Sequence, residues 1–209
     1  DSYELTTVGY GTGERRHLDI YTPRAAAERV RPANGWPLVV FFYGGSWNRG
    51  DRAEYRFVGE ALAARGIVTV IPDYRLYPEA RYPDFLKDNA AATAWALREA
   101  VRLDADPKRT FLGAAPVDDL INPERNTRQM ATQLQSAGVP VTVQFYPRTN
   151  HVTLIGAFSA PLRFLAPVLE DVVEFVKTSP ARANGSQCVI LSLRERRGEK
   201  KRGAKLRAV

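Results

Sequence analysis

A pair of glycines follows a strongly apolar run, at a point where the backbone could create a site for negative charge. The run WPLVVFFYGG predicts a buried strand, and FFYGGSWNRGD, residues 41–51, leads from it into a predicted helix. Consecutive Gly44 and Gly45 let the backbone turn sharply and present N–H groups to a developing oxyanion. An ordinary turn between a strand and a helix also explains the two glycines, so both interpretations stay open. The side chains expected to line such a pocket are Tyr43, Ser46 and Trp47.

Strand-like and helix-like segments alternate on both sides of this turn, which predicts an α/β fold with a mostly parallel sheet. In the first half, TTVGYG and RRHLDIYTP predict a hairpin, and WPLVVFF, IVTVIP and TFL predict further strands, the last one after a loop, DADPKR. DRAEYRFVGEALAARG and YPDFLKDNAAATAWALREAVRL predict helices. In the second half, NPERNTRQMATQLQSAGVP and LRFLAPVLEDVVEFVKT predict helices, with the strand VTVQFYP between them.

Five segments in order resemble the motifs of α/β-hydrolase fold esterases with an HGGxW loop, including carboxylesterases and arylformamidases. They are YGGSWNRGD, IPDYRLYPEARYPDFLKDNAAATAWALREA, DPKRTFLG, DDLINPERN and NHVTLIG, and the resemblance covers about residues 5–178 in two blocks. It implies an α/β-hydrolase-like three-layer sandwich and acyl transfer from a small carboxylic ester or amide. The family's oxyanion N–H groups map to Gly44 and Gly45. Tyr43 replaces the usual histidine of the loop, and Trp47 matches its aromatic residue.

The resemblance also implies a nucleophile, which this chain lacks at the matching place. The family's serine lies in G-x-S-x-G after the fifth strand, and here GAAPV puts Gly113 at the first position and Ala115 at the serine. DDLINPERN matches the family's acid turn, with Asp118 as the orienting acid and Asp119 as the alternative. A solvated turn capping a helix explains these two residues equally well. His151, in YPRTNHVTLIG, matches the general base.

Gly113 and Asp118 are almost adjacent, whereas the family has a helix, a strand, a variable cap region and another strand between these motifs. We interpret this as an internal deletion that removed the nucleophile turn, leaving a truncated sheet. Ser46 lies in the oxyanion loop and Ser159 lies eight residues after His151, and neither sits on a nucleophile turn that would expose and orient its oxygen. Ser136 is expected on a helix surface, so no surrogate nucleophile is predicted. A sheet shortened in this way carries an unpaired edge, which favours self-association.

Positive charge is concentrated at the C-terminus. The chain carries a net charge of +7, and residues 194–209 contain eight Lys or Arg against two Glu, which leaves about +1 for the rest. We therefore divide the chain into an α/β-hydrolase-like domain at 1–178, internally deleted near 113–117, and a disordered basic tail at 179–209. Such a tail is a conceivable contact for nucleic acid or an anionic membrane, but no aromatic residues interleave its charges, so we do not predict that contact.

Other features limit the possible functions. No apolar run reaches the roughly 20 residues that span a bilayer, so we expect a soluble protein, cytoplasmic or secreted. The single Cys188 excludes an internal disulfide, and the two histidines have no ligand spacing to carboxylates, so neither a metal nor a cofactor is expected. The expected function is that of a serine ester or amide hydrolase whose activity is lost or impaired. The alternatives are a non-catalytic binding protein on the same scaffold and an aberrant fragment.

Overall fold

The fold is described from a computed structural model for residues 2–24, 30–114, 132, 135–136, 141–146, 151–180 and 186–193. The strands are β1 (Tyr3–Gly9), β2 (His17–Pro23), β3 (Trp36–Phe42), β4 (Val68–Pro72), β5 (Ala105–Ala114), β6 (Val141–Tyr146) and β7 (Ser186–Leu193). The α-helices are α1 (Arg56–Ala63), α2 (Asp84–Glu99), α3 (His151–Gly156) and α4 (Val168–Thr178). Short 3₁₀ helices span Arg52–Tyr55, Ala100–Leu103 and Ala160–Leu165.

The strands described form one mixed sheet in the order β1-β2-β4-β3-β5-β7-β6. β1 pairs antiparallel with β2, and β2 pairs antiparallel with β4. All other neighbours in the sheet are parallel. The predicted α/β fold with a mostly parallel sheet is therefore confirmed, as are the N-terminal hairpin and the central strands.

Both faces of the central strand β3 are buried, as its continuous apolar run predicts. Successive side chains of a strand point to opposite faces. Leu38 and Val40 accordingly pack in one cluster with Ala96 of α2, whereas Val39 and Phe41 pack in a second cluster with residues of α1 and α4. Helices thus cover the two faces of the sheet, which is the three-layer arrangement expected from the sequence.

Strand β5 begins earlier than the sequence predicted, because the segment taken as the loop DADPKR belongs largely to it. Ala105 already pairs with Trp36, and the register then shifts before Thr110 pairs with Leu38. The Asp106 carboxylate accepts the Lys108 N–H at 2.9 Å inside this irregular stretch. Polar and proline residues are therefore accommodated within the strand by a local irregularity.

The predicted final helix is two separate elements. A 3₁₀ helix, Ala160–Leu165, precedes α4, which begins after Pro167. Proline disfavours the helical conformation in the residue before it. Ala166 is accordingly extended, with φ −164° and ψ 146°, and interrupts the helix.

The segment Ser186–Leu193 differs from the sequence prediction, which included it in a disordered tail. It forms β7 in the interior of the sheet, parallel to both β5 and β6. Its run CVILSL is mostly apolar, as is typical of a strand with neighbours on both sides. Residues 181–185 and 194–209 of the predicted tail lie outside the described residues, as does most of the predicted helix before β6.

Candidate active site

The loop after β3, residues 43–51, which we call the glycine loop, has a conformation that few residues can adopt. Gly45 has φ +141°, and a Cβ at this position would lie 2.1 Å from the Arg49 carbonyl oxygen. Ser46 and Trp47 follow with φ +52° and +61°. Left-handed backbone costs a non-glycine residue roughly 1–2 kcal/mol. Contacts with the surrounding structure must therefore hold the loop in place.

Backbone hydrogen bonds fix the loop at both ends of this strained segment. The Gly45 carbonyl accepts the N–H groups of Asn48 and Arg49 at 3.1 and 3.2 Å. The Trp47 carbonyl accepts the Tyr77 N–H at 2.7 Å. The loop is consequently closed on itself and also attached to the segment that follows β4.

The Trp47 side chain joins the glycine loop to α2. Its ring stacks on Phe85 with centroids 4.8 Å apart and an interplanar angle of 15°, and it meets Tyr74 edge-on at 5.3 Å. Trp47 still exposes 39% of its surface. One side of the ring is thus fixed by aromatic neighbours while the other remains accessible to a ligand.

Tyr43 lies beneath the loop rather than in an open pocket. Its hydroxyl donates to the Asp73 carboxylate at 2.7 Å and accepts from Arg15 at 3.0 Å. Its ring stacks on Tyr74 and Tyr55, with centroids 4.7 and 5.5 Å away. Burial raises the pKa of Tyr43, and the hydrogen bond to Asp73 raises it further. Tyr43 is therefore a neutral phenol that supports the loop.

The buried Asp73 carboxylate connects the loop to the rest of the sheet. In addition to Tyr43, it accepts the Arg52 backbone N–H at 3.0 Å and the Arg52 guanidinium. Arg52 also donates to Asp19 of β2 at 2.9 Å, and Arg15 lies 3.9 Å from Asp73. Burial alone would lower the pKa of Arg52, but its hydrogen bonds and ion pairs with the two aspartates raise it. Two arginines balance two aspartates, so no charge is buried alone.

The Gly44 amide faces the hydroxyl of Tyr55. Burial raises the pKa of Tyr55, while a hydrogen bond from the Gly44 backbone acts in the opposite direction by favouring negative charge on the phenol oxygen. An amide that meets an oxygen in this way is suited to an oxyanion, which bears more negative charge than a phenol. An oxyanion at this amide would have to take the place of the Tyr55 hydroxyl.

The structure brings together the five loop residues that the sequence singled out, Tyr43, Gly44, Gly45, Ser46 and Trp47. The acid candidates Asp118 and Asp119 lie outside the described residues. His151 begins α3, but its side chain is outside the described part of the chain. The acid and base assignments therefore stay predictions.

The sequence analysis did not single out the support beneath the loop, formed by Arg15, Asp19, Arg52 and Asp73. One signal was available. Asp73 ends the apolar run IVTVIPD, where a charge in a buried strand requires a partner. The identity of that partner was not available, because Arg15 and Arg52 lie in two other segments.

The described residues contain no group of three or more His, Cys, Asp or Glu residues that could hold a metal ion. None of the helices described is long and apolar enough to cross a membrane.

Comparisons with known proteins match the part of the chain that carries the glycine loop. The sequence model of the BD-FAE family matches residues 18–115, which run from β2 to the end of β5. Carboxylesterase NlhH of Mycobacterium tuberculosis strain H37Rv is 34% identical over 174 residues, which cover 82% of this chain and 51% of that protein. These matches support the assignment of the chain to the α/β-hydrolase esterase family.

Other members of the esterase family match shorter parts. A probable isoprenylcysteine alpha-carbonyl methylesterase of Oryza sativa is 32% identical over 108 residues, which cover 52% of this chain and 25% of that protein. A thermostable esterase of Pseudomonas putida gives a TM-score of 0.49 at 23% identity, over 71% of this chain and 45% of that chain. The chain thus spans about half or less of the length of these relatives.

Proposed function

We propose that this esterase-family chain is a catalytically impaired hydrolase that keeps an oxyanion loop but lacks the serine nucleophile. Its ligand would be a small carboxylic ester or amide. The observation that carries the proposal is the sequence GAAPV after β5, which has Ala115 where the family's motif has serine. The retained glycine loop supports descent from a working enzyme, because its strained backbone has a use in oxyanion binding.

The absence of the serine oxygen determines which step of acyl transfer the chain loses. In acyl transfer the serine oxygen attacks the ester carbonyl while a histidine accepts its proton, and backbone N–H groups stabilise the resulting oxyanion. The Ala115 methyl group cannot form the acyl–enzyme bond. Amides of Gly44 and Gly45 could still polarise a bound carbonyl toward attack by water. Because residual catalysis in triad enzymes without a nucleophile comes from the oxyanion donors and from binding, we expect only weak hydrolysis.

The roles of the remaining triad residues are part of the proposal. His151 would be the ancestral base, and Asp118, or else Asp119, would orient it. We further propose that an internal deletion removed the nucleophile turn, which would explain why Gly113 and Asp118 stand only five positions apart in the sequence. The deletion and a simple Ser-to-Ala substitution make different predictions for Ala115→Ser.

The test is hydrolysis of a short-chain activated aryl ester by the purified chain, by His151→Ala and by Ala115→Ser. We expect equal, low rates for all three, because neither variant restores a positioned nucleophile. Turnover that disappears in His151→Ala would contradict the proposal and would direct a search for a surrogate serine with a covalent phosphonate probe. A gain of activity in Ala115→Ser would show that a simple Ser-to-Ala substitution, and not an internal deletion, removed the nucleophile.

The accessible side of Trp47 favours a second candidate function, non-catalytic binding of a small ester or acyl compound. An aromatic surface beside oxyanion-type amides can hold such a ligand without hydrolysing it. A non-hydrolysable ester analogue should then quench tryptophan fluorescence saturably in the intact chain. Trp47→Ala should abolish the response, and an unchanged titration in that variant would exclude binding at the glycine loop.

A further inference from the structure

The outer edge of β5 is covered by a strand from the C-terminal part of the chain. Thr110 pairs with Ser186 and Leu112 pairs with Cys188, so β7 runs parallel to β5. β7 continues along β6, from Val141 opposite Cys188 to Tyr146 opposite Leu193. Within the sheet described, β6 has no neighbour other than β7. The strand therefore joins β6 to all the others.

This arrangement differs from the usual relation between sequence and sheet order. Consecutive strands of a domain usually lie next to each other. Here β6 follows β5 among the described strands, but β7 lies between them. Without β7, the backbone of β5 around the buried Phe111 would lack partners at that edge. Such an edge is a template for pairing with another chain.

The position of α4 allows the same chain to supply this strand. The Arg109 guanidinium donates to the carbonyl oxygens of Val176 and Lys177 at 2.8 and 3.1 Å, which holds the end of α4 beside β5. Residues 179–185 then connect the end of this helix, Thr178, to β7. Seven residues span at most about 23–25 Å, and Ser186 pairs with the residue directly after Arg109. The connection between α4 and β7 is therefore short.

We propose that Ser186–Leu193 is a sealing strand: it occupies the edge of β5 within its own chain and thereby prevents that edge from pairing with a second copy. When the sealing strand is displaced, the edge of β5 is free to associate with another chain. This inference does not depend on whether the protein hydrolyses esters, since it concerns only backbone pairing at the sheet edge.

The first test is hydrogen exchange of the intact chain. The amides of Ser186–Leu193 should exchange at least about 100-fold more slowly than those of an unstructured peptide, since they lie in the interior of a sheet. Exchange of these amides at peptide rates would overturn the proposal. The chain should also be a monomer in light scattering, whereas a dimer with protected amides would place the strand in a second copy and contradict pairing within one chain.

A matched pair of variants tests the consequence for association. Gln187→Pro lies opposite Phe111, and proline cannot donate to a ladder within a sheet. Ala204→Pro makes the same change beyond the strand. We expect concentration-dependent association in Gln187→Pro only, together with at least tenfold faster hydrogen exchange of the remaining amides of Ser186–Leu193.

Three outcomes of this experiment decide between the alternatives. Association of Gln187→Pro that is suppressed by a synthetic peptide of sequence SQCVILSL supports a strand-accepting edge on β5. Unchanged amide exchange and an unchanged monomer in Gln187→Pro would show that β7 does not seal that edge. If Gln187→Pro loses its native tryptophan fluorescence, the exchange rates of the intact chain decide the question.

Discussion

The two ends of the sheet are held by different kinds of contact. At one end, β1 and β2 form a hairpin along their whole lengths, and side chains reinforce the strands behind it. Asp19 of β2 and Asp73, which follows β4, both bind Arg52. At the other end, β6 reaches the sheet through β7, and β7 meets β5 only over residues 110–112.

The difference follows from distance along the chain. The hairpin joins segments that are a few residues apart, so its closure costs little entropy. The far end requires residues 110 and 186 to pair, and this contact forms only after almost the whole chain is available. We therefore expect the first end of the sheet to be more resistant to local unfolding. The following predictions test this comparison.

Loss of the Asp73 carboxylate should have the largest effect on the reinforced end. Asp73→Ala leaves Arg52 and the Tyr43 hydroxyl without their buried acceptor, and removing one partner of a buried ion pair costs about 3–5 kcal/mol. Urea unfolding measures the loss. Arg31→Ala breaks the exposed pair with Asp104 and should cost less than about 1 kcal/mol. Similar losses of stability in the two variants would contradict the stronger reinforcement of the first end of the sheet by buried ion pairs.

The second prediction concerns which end of the sheet the helices α3 and α4 stabilise. Phe158, directly after α3, is 2% exposed and lies in the cluster that contains Val39 and Phe41. Phe158→Ala should therefore cost about 3–5 kcal/mol in the free energy of unfolding. Phe164 is 82% exposed, and Phe164→Ala should change it by less than about 0.5 kcal/mol. A small effect of Phe158→Ala on the free energy of unfolding would show that α3 and α4 belong to the more weakly held end of the sheet.

The third prediction separates backbone strain from steric exclusion in the glycine loop. Gly13 and Gly45 both have positive φ, but a Cβ at Gly13 meets nothing within 4 Å. Gly13→Ala should cost about 1 kcal/mol, and Gly45→Ala about 2–3 kcal/mol, because its Cβ also collides with the Arg49 carbonyl. Thermal unfolding of both variants provides the comparison. Equal costs would show that the loop shifts to admit a side chain.

The smallest expected effect is a pH dependence at Asp88, on α2. Burial alone would raise the pKa of Asp88, but hydrogen bonds from Arg75 and Arg16 outweigh it and hold the pKa below its usual 3.8. Its contribution to stability is therefore complete above pH 3.8 and is lost as the pH falls through the lowered value. Asp88→Asn should cost about 1–2 kcal/mol at pH 7.

This cost should shrink as the pH is lowered from 4 toward the pKa of the folded state. Urea unfolding of both proteins at several pH values measures the trend. Asp84→Asn, which alters an exposed pair with Lys87, is the matched change on the same helix and should cost less than about 1 kcal/mol at pH 7. A constant difference between Asp88→Asn and the unaltered chain would contradict the charge assignment.

Local sequence patterns predicted most of the first end of the sheet. The alternating run of β1 and β2, the apolar runs of β3 and β4, and the periodic helices α1 and α2 carry their own signals over a few residues. Two errors also have local explanations: Pro167 divides the last helix, and an irregular stretch containing Asp106 lies within β5. These features were visible in the sequence but were given too little weight.

The position of β7 could not be predicted in the same way. CVILSL is short, and the basic residues after it suggested a solvated tail. Only its partners, 74 or more positions earlier in the chain on β5, identify it as part of the sheet. The same difference holds for the candidate site. The glycines predicted the loop from the local sequence, whereas Asp73 and its arginines meet only in the folded chain. Asp118, Asp119 and His151 stay predictions.

The contact between Gly44 and Tyr55 has a consequence for any ligand of the glycine loop. The phenol belongs to the same chain and therefore competes with any ligand oxygen for this amide. Neutral carbonyl oxygens, which attract an amide weakly, would be displaced readily by such a competitor. Oxygens with a full negative charge would prevail.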